Sequence, residues 1–141
     1  MLRGLTTVSF FADDVLAARD WYTELLGIEP YFVRPAEGTP AYVEFRIGDY
    51  QHELGIIDSR FAAASRPDNA AGAVAYWHVD DVHASVERLV SMGATLLEKP
   101  VERGPGFVTA SVVDPFGNIL GVMYNKHYLE MLELRPIASR A

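Results

Sequence analysis

Alternating apolar and polar positions divide the chain into two similar halves. In each half, an apolar strand is followed by two aspartates and then by a helix whose apolar positions recur at helical spacing. The aspartate pairs are Asp13-Asp14 and Asp80-Asp81, and Asp81 follows Asp14 by 67 residues. An aspartate there accepts hydrogen bonds from free backbone N–H groups and suits the positive end of a helix. The pattern therefore predicts an internal repeat.

The same spacing continues through the strands that follow each helix, so each unit is predicted to read β-α-β-β-β. Gly27 and Gly93 are predicted to end the helices, since glycine tolerates the left-handed conformation found there. The predicted first unit has strands at 5–11, 28–33, 42–47 and 50–57, and the second has strands at 73–79, 94–97, 108–113 and 118–124.

These elements predict an α+β fold with mixed sheets in one structural domain. We assign residues 1–61 to the first module, 62–72 to a linker, 73–125 to the second module, and 126–141 to a C-terminal helix and tail. The linker has the Ala, Ser, Pro, Asp, Asn and Gly composition typical of connecting segments. The final helix is predicted over 126–134, before Pro136.

Composition narrows the possible functions. Half of the 141 residues are apolar, and the chain contains no cysteine, so no disulfide can form. The lack of cysteine fits a reducing compartment, and we find no membrane span and no signal peptide, so we expect a cytoplasmic protein. A net charge of -7 repels nucleic-acid phosphates and anionic membranes, and it mildly favours cationic ligands.

Four short stretches, at 12–14, 21–27, 79–82 and 114–118, carry a family resemblance. Together they resemble the vicinal oxygen chelate superfamily, which includes glyoxalase I, extradiol dioxygenases, fosfomycin-resistance enzymes and bleomycin-resistance proteins. The resemblance covers about residues 5–125. It implies two modules whose sheets curl around a shared cleft, and it implies a homodimer. It is specific for the fold and much less specific for the function.

In metal-dependent members of that superfamily, four slots on the first and last strands supply His or Glu. Counting from the aspartates places these slots at Thr7, Glu53, Val74 and Gly121. Because a tightly bound transition metal needs about three or four N, O or S ligands, Glu53 alone is insufficient. We therefore expect neither a metal at these slots nor another cofactor. Other metal sets, drawn from His52, His78, Glu44 and Glu53, remain an alternative.

Strand alternation indicates which side chains face the predicted cleft. If the helices cover the Val8/Phe10 and Ala75/Trp77 faces, the ligand-binding candidates are Phe11, Tyr42, Glu53, Tyr76 and His78. His78 and Glu53 are the candidate catalytic residues, although a lone strand histidine is also typical of a structural role. We interpret Glu44 and Arg46 as a solvated pair. Glu53 has either a raised pKa or a salt bridge to Arg46.

Two functions fit these observations. The first is a metal-independent protein that binds a small molecule, as the bleomycin-resistance branch does. The second is a glyoxalase-like or dioxygenase-like enzyme that uses an atypical metal set or metal-free acid–base catalysis by His78 and Glu53. We favour binding, because the metal that polarises a carbonyl or activates oxygen in those enzymes lacks ligands here.

Overall fold

The chain forms two compact units, residues 1–72 and 73–141. The computed structural model describes residues 3, 5–61 and 74–135. The predicted linker at 62–72 lies outside the described residues. The longest helix described has 12 residues, and no helix of the described chain is long and apolar enough to cross a membrane.

The first unit is a four-stranded mixed sheet with one helix. Its strand order is β1-β4-β3-β2, in which β1 and β4 are parallel and the other pairs are antiparallel. In chain order its elements are β1 (Thr7–Ala12), α1 (Val15–Leu26), β2 (Phe32–Arg34), β3 (Tyr42–Ile47) and β4 (His52–Asp58), followed by a 3₁₀ turn at Ser59–Phe61.

The second unit has the same architecture. Its strand order is β5-β8-β7-β6, again with one parallel pair, β5 and β8. Its elements are β5 (Tyr76–His78), α2 (Val82–Ser91), β6 (Thr95–Gly104), β7 (Phe107–Val113), β8 (Ile119–Asn125) and α3 (Lys126–Glu133). The predicted α+β fold of two β-α-β-β-β units is confirmed.

The starts of α1 and α2 and the end of α1 follow the predicted capping, whereas α2 ends at Ser91 with Met92 as its C-cap, one residue before Gly93. The Asp14 carboxylate accepts a hydrogen bond from Ala17 N at 3.0 Å, and Asp81 does the same for Ala84 N at 2.9 Å. Gly27 ends α1 with a φ of 67°, in the left-handed region that glycine adopts without steric cost. The final helix also forms where it was predicted.

Three strands differ from their predicted bounds by more than two residues at one end. β2 begins at Phe32 rather than 28, β5 is reduced to three residues, and β6 runs to Gly104 instead of ending at 97. The sequence of β6 shows no regular alternation, because the strand shifts register against β7 at several points and carries charged residues around Pro100. The glycine-rich stretch at 104–106 belongs to a tight hairpin, in which Gly104 pairs with Phe107.

The two faces of the first sheet have different environments. Val43, Phe45, Leu54 and Ile56 are almost completely buried and share one face. The Phe10 ring of that face lies 6.1 Å from the Tyr22 ring of α1, so this is the face that the helix covers. Burying a side chain of this size contributes roughly 1.5–3 kcal/mol, which strongly disfavours a register slip.

We expect Asp14→Ala to destabilise the protein by about 1 kcal/mol, because it removes the acceptor at the start of α1. Asp13→Ala is the matched control, since it removes the same charge one residue earlier. It should change the free energy of unfolding by less than about 0.5 kcal/mol. Urea denaturation of both variants measures the difference. Equal losses would show that charge, and not capping, is what matters.

Candidate functional site

The face of the first sheet opposite α1 carries most of its polar side chains. We call it the polar face. Cross-strand register places its members side by side: Thr7 lies opposite Glu53, and Glu53 lies opposite Arg46. The full set is Thr7, Ser9, Phe11, Phe32, Arg34, Tyr42, Glu44, Arg46, Glu53, Gly55 and Ile57.

Glu53 is at the centre of the hydrogen bonding on this face. Thr7 Oγ1 donates to one of its carboxylate oxygens at 2.8 Å, and Arg46 Nη1 lies 3.2 Å from the other. The Glu53 side chain is 21% exposed and that of Arg46 is 44% exposed. The salt bridge that we gave as one alternative for Glu53 is thus confirmed. Together, the Thr7 hydrogen bond and the Arg46 salt bridge hold both carboxylate oxygens and fix the orientation of the group.

Tyr42 lies flat across the next strand. A Cβ atom built on Gly55 would come within 2.6 Å of the Tyr42 hydroxyl and 2.9 Å of its ring, so only glycine leaves room for this ring. The Tyr42 hydroxyl donates a hydrogen bond to the Glu44 carboxylate. Glu44 therefore bonds to Tyr42, not to Arg46, which corrects the prediction of a simple solvated Glu44–Arg46 pair.

Two pKa values on the polar face are shifted. Burial raises the pKa of Glu44, the nearby Glu53 charge raises it further, and Arg46 partly lowers it. Burial also raises the pKa of Tyr42, and the Glu53 charge adds to that rise. Both shifts show that an additional negative charge is disfavoured around Glu44 and Tyr42.

Aromatic rings border the carboxylates. The Phe32 ring packs edge-on against Tyr42 at 6.1 Å, and Phe32 lies directly opposite Glu44 in the β2–β3 register. The guanidinium carbon of Arg46 lies 4.5 Å from the centroid of the Tyr31 ring, and that of Arg34 lies 4.7 Å from the Phe32 ring. These are cation–π distances. The face therefore combines charged groups with rings that accept cations.

The second sheet repeats one of these features. A Cβ on Gly121 would meet the Tyr76 ring at 2.6 Å, so Tyr76 crosses Gly121 much as Tyr42 crosses Gly55. Tyr76 is 38% exposed. Trp77 is in register with the buried Val122, on the opposite face. Tyr76 and His78 therefore lie on the same face of the second sheet, opposite to Trp77, as strand alternation in the sequence indicated.

His78 has a different environment from the other candidates. Its side chain is only 9% exposed, and its ring stacks on Tyr128 of α3 at 4.5 Å. Asn125 N donates to its Nδ1 at 3.4 Å, while its Nε2 is buried without a hydrogen-bond partner in the described chain. The nearest carboxylate oxygen to Nε2, that of Asp80, is 3.8 Å away. Because α3 covers the ring, these contacts are those of a packing histidine.

The candidate residues therefore fall into two groups. Phe11, Tyr42 and Glu53 share the polar face of the first unit, and Tyr76 and His78 share one face of the second. The sequence analysis did not count Glu44 among the ligand-binding candidates, although strand alternation already placed it on the same face as Tyr42 and Arg46. It also missed Tyr128, because nothing in the sequence indicates that α3 packs on β5.

The register also corrects one of the four metal slots. Gly55 pairs with Ser9, and Gly121 pairs with Tyr76, which follows Ser9 by 67 residues. Gly121 is therefore the counterpart of Gly55, and Ile119 is the counterpart of Glu53. The prediction failed because nine residues separate the paired Ser111 and Gly121 in the second unit, whereas ten separate the equivalent pair Glu44 and Gly55 in the first.

The donor chemistry of the corrected slots does not suit a transition metal. Ile119 and Val74 have no donor atom, and the Thr7 hydroxyl already donates to Glu53. Within residues 3, 5–61 and 74–135, no group of three or more His, Cys, Asp or Glu side chains is placed to hold a metal ion. The residues present at the family slots thus do not fit such an ion.

The fold and the repeated strand–helix arrangement are those of a known superfamily. The family model described as Glyoxalase/Bleomycin resistance protein/Dioxygenase superfamily matches residues 4–122. The chain belongs to this superfamily, and the resemblance seen in the sequence is confirmed. No curated protein matched the chain.

Solved structures share the fold at low sequence identity. A glyoxalase-related enzyme from Fulvimarina pelagi has a TM-score of 0.66 at 20% identity, with 88% of this chain and 89% of that chain covered. A lactoylglutathione lyase from Agrobacterium tumefaciens gives 0.62 at 23%, covering 91% and 98%. TioX from Micromonospora sp. ML1 gives 0.61 at 17%, covering 87% and 99%. At these identities the likeness concerns the fold alone.

We expect Gly55→Ala to destabilise the protein by about 1–3 kcal/mol, because the new methyl group overlaps the Tyr42 ring. Gly104→Ala is the control: a Cβ there meets no atom within 4 Å, and Gly104 has no positive φ. Thermal and urea unfolding give the comparison. In a Tyr42→Ala background the Gly55→Ala penalty should shrink, and an undiminished penalty would contradict the proposed overlap.

We expect Glu53→Gln to lower the pKa values of both Glu44 and Tyr42, because the Glu53 charge raises both. Carboxyl and tyrosine ring NMR titrations measure these two values separately. Glu24→Gln, on the exposed side of α1, removes the same charge and should shift neither. An unchanged Glu44 pKa in the Glu53→Gln variant would show that the two carboxylates do not interact.

Proposed function

We propose that this protein binds a small organic molecule without the help of a metal ion, as members of the bleomycin-resistance branch of the superfamily do. The observation that carries the proposal is the polar face of the first unit. There Thr7, Glu53 and Arg46 hold each other in place, while Tyr42 and Phe32 supply aromatic surface. Binding sites of this kind combine apolar walls with a few oriented polar groups.

Binding is favoured over catalysis because of how the two candidate catalytic groups are engaged. Glu53 has Thr7 on one oxygen and Arg46 on the other, so both oxygens are already engaged within the protein. His78 is stacked beneath Tyr128, and its Nε2 is buried. A general base must come within hydrogen-bond reach of its substrate, which α3 prevents for His78 in this arrangement.

The proposal extends to the second unit and to the setting of the protein. Tyr76 presents a partly exposed ring over Gly121, and we propose that it contacts a ligand. In the first unit we propose the same role for Phe11. We further propose a cytoplasmic homodimer, the usual assembly implied by the superfamily, without nucleic-acid or membrane partners. A specific dimer should bury more than about 1,000 Å². Sedimentation that gives a monomer at high micromolar concentration would contradict the dimer.

We expect protein purified under non-denaturing conditions to carry, or to select from an extract, an organic ligand that remains bound after dialysis against EDTA. Native mass spectrometry detects the added mass, and elemental analysis follows the metal content. Tyr76→Ala and Glu53→Ala should each weaken binding at least about tenfold with only a modest loss of stability. Glu24→Ala, on the far side of α1, is the matched control.

Two results would contradict this proposal. The first is ligand binding that disappears with EDTA and returns only with a transition metal. The second is turnover of the bound molecule that depends on Glu53 or His78, which would favour the enzymatic alternative.

A further inference from the structure

Glu44 is a carboxylate with unused binding capacity. Its bond to the Tyr42 hydroxyl occupies one oxygen, and no cationic side chain in the described chain forms an ion pair with it. Arg46, the nearest cation by sequence, instead pairs with Glu53. Glu44 is half-buried, so its charge is only partly solvated. A half-buried carboxylate without a cationic partner gains free energy when a cation binds beside it.

The aromatic rings next to Glu44 supply an independent reason to expect a cation. Tyr31 and Phe32 are both exposed, and each already carries a guanidinium group on its face. Phe32 lies directly opposite Glu44 across the strand pair. The faces of these rings are therefore oriented to accept cations. This attraction adds to that of the carboxylates.

The polar face also contains two cations of its own. Arg46 is held between Glu53 and the Tyr31 ring, and Arg34 is placed over the Phe32 ring. Burial is the larger cause of the raised pKa of Glu44 and of Tyr42, and the Glu53 charge adds to the rise in spite of the nearby arginines. The negative charge of Glu53 therefore acts at Glu44, so a positive group placed there is attracted by both carboxylates.

We propose that the Glu44 end of the polar face binds the protonated amine of a ligand whose aromatic or apolar body packs on Phe32 and Tyr42. The ammonium group donates to the Glu44 oxygen that Tyr42 leaves free, and the body of the ligand covers the ring surfaces. This inference rests on the proposed binding function and gives it a ligand class. The net charge of -7 assists the approach of such a cation.

Three probes of similar shape test the proposal: benzylamine, benzyl alcohol and benzoate, each titrated into the full-length protein and followed by NMR. We expect benzylamine at pH 7 to shift the Glu44 carboxyl and Phe32 ring signals and to bind at least about tenfold more tightly than the alcohol. Acidification through the raised pKa of Glu44 should weaken benzylamine binding, because the amine stays protonated while the carboxylate is lost.

Two variants and one control connect the result to the site. Glu44→Gln keeps an acceptor for the Tyr42 hydroxyl and should abolish the preference for the amine, whereas Glu24→Gln should leave it unchanged. Phe32→Leu keeps the apolar volume and should weaken benzylamine binding several-fold through the loss of the ring face. It also serves as a second test should Glu44→Gln fold poorly.

Every other outcome overturns the inference. If the alcohol or benzoate binds this face as well as the amine, the proposed ligand class is wrong, although small-molecule binding stands. If none of the three probes shifts the Glu44 or Phe32 signals, the site itself is wrong. The proposed function is then decided separately by the co-purified ligand and the effect of EDTA.

Discussion

The pairing of Thr7 and Arg46 with the two oxygens of Glu53 is the interaction on which the polar face depends. Glu53 lies on a central strand, and its two partners come from the strands on either side. A slip of one residue in β4 would turn Glu53 towards the helix, where its charge would meet the buried apolar side chains, and a slip in β1 or β3 would turn Thr7 or Arg46 away from it. The apolar core and the ion pair therefore specify the same register, and each supports the other.

Two glycines leave room for tyrosine rings to lie across the sheets. Gly55 and Gly121 are counterparts in the two units, and each lies beneath a tyrosine ring that a side chain would displace. In the first unit, the lack of a side chain at Gly55 lets the Tyr42 ring lie where its hydroxyl donates to Glu44. The same residues make the face aromatic and polar at once, which is the basis of the proposal that it binds a small organic molecule.

Much of the fold could be predicted from the sequence because local signals agreed with the global pattern. Asp14 and Asp81 begin helices, and strict alternation along Tyr42 to Ile47 predicted the limits of that strand. The polarity of each face followed from the same alternation. Where local signals conflict, as around Pro100 in β6, the second half of the strand could not be recognised, because its pairing with β7 is irregular.

The details of the site were less predictable, because they depend on contacts between distant segments. Alternation placed Glu44 on the correct face but did not show that Tyr42 would take its hydrogen bond and leave Arg46 to Glu53. Likewise, the sequence gave no indication that Tyr128 would cover His78. The matching of Glu53 with Gly121 failed because the second unit has one residue fewer between the equivalent paired positions of its last two strands. A single repeat offset applied to the whole unit does not show such a difference.

Because the chain contains no cysteine, single cysteines can report the two faces of β3 directly. The most direct test compares the thiol labelling rates of Glu44→Cys and Val43→Cys in the folded protein. If the polar face is as described, the cysteine at position 44 should react at least about tenfold faster, since position 43 is exposed only when the sheet opens. Equal rates, or faster labelling at position 43, would contradict the register from which the whole site is built.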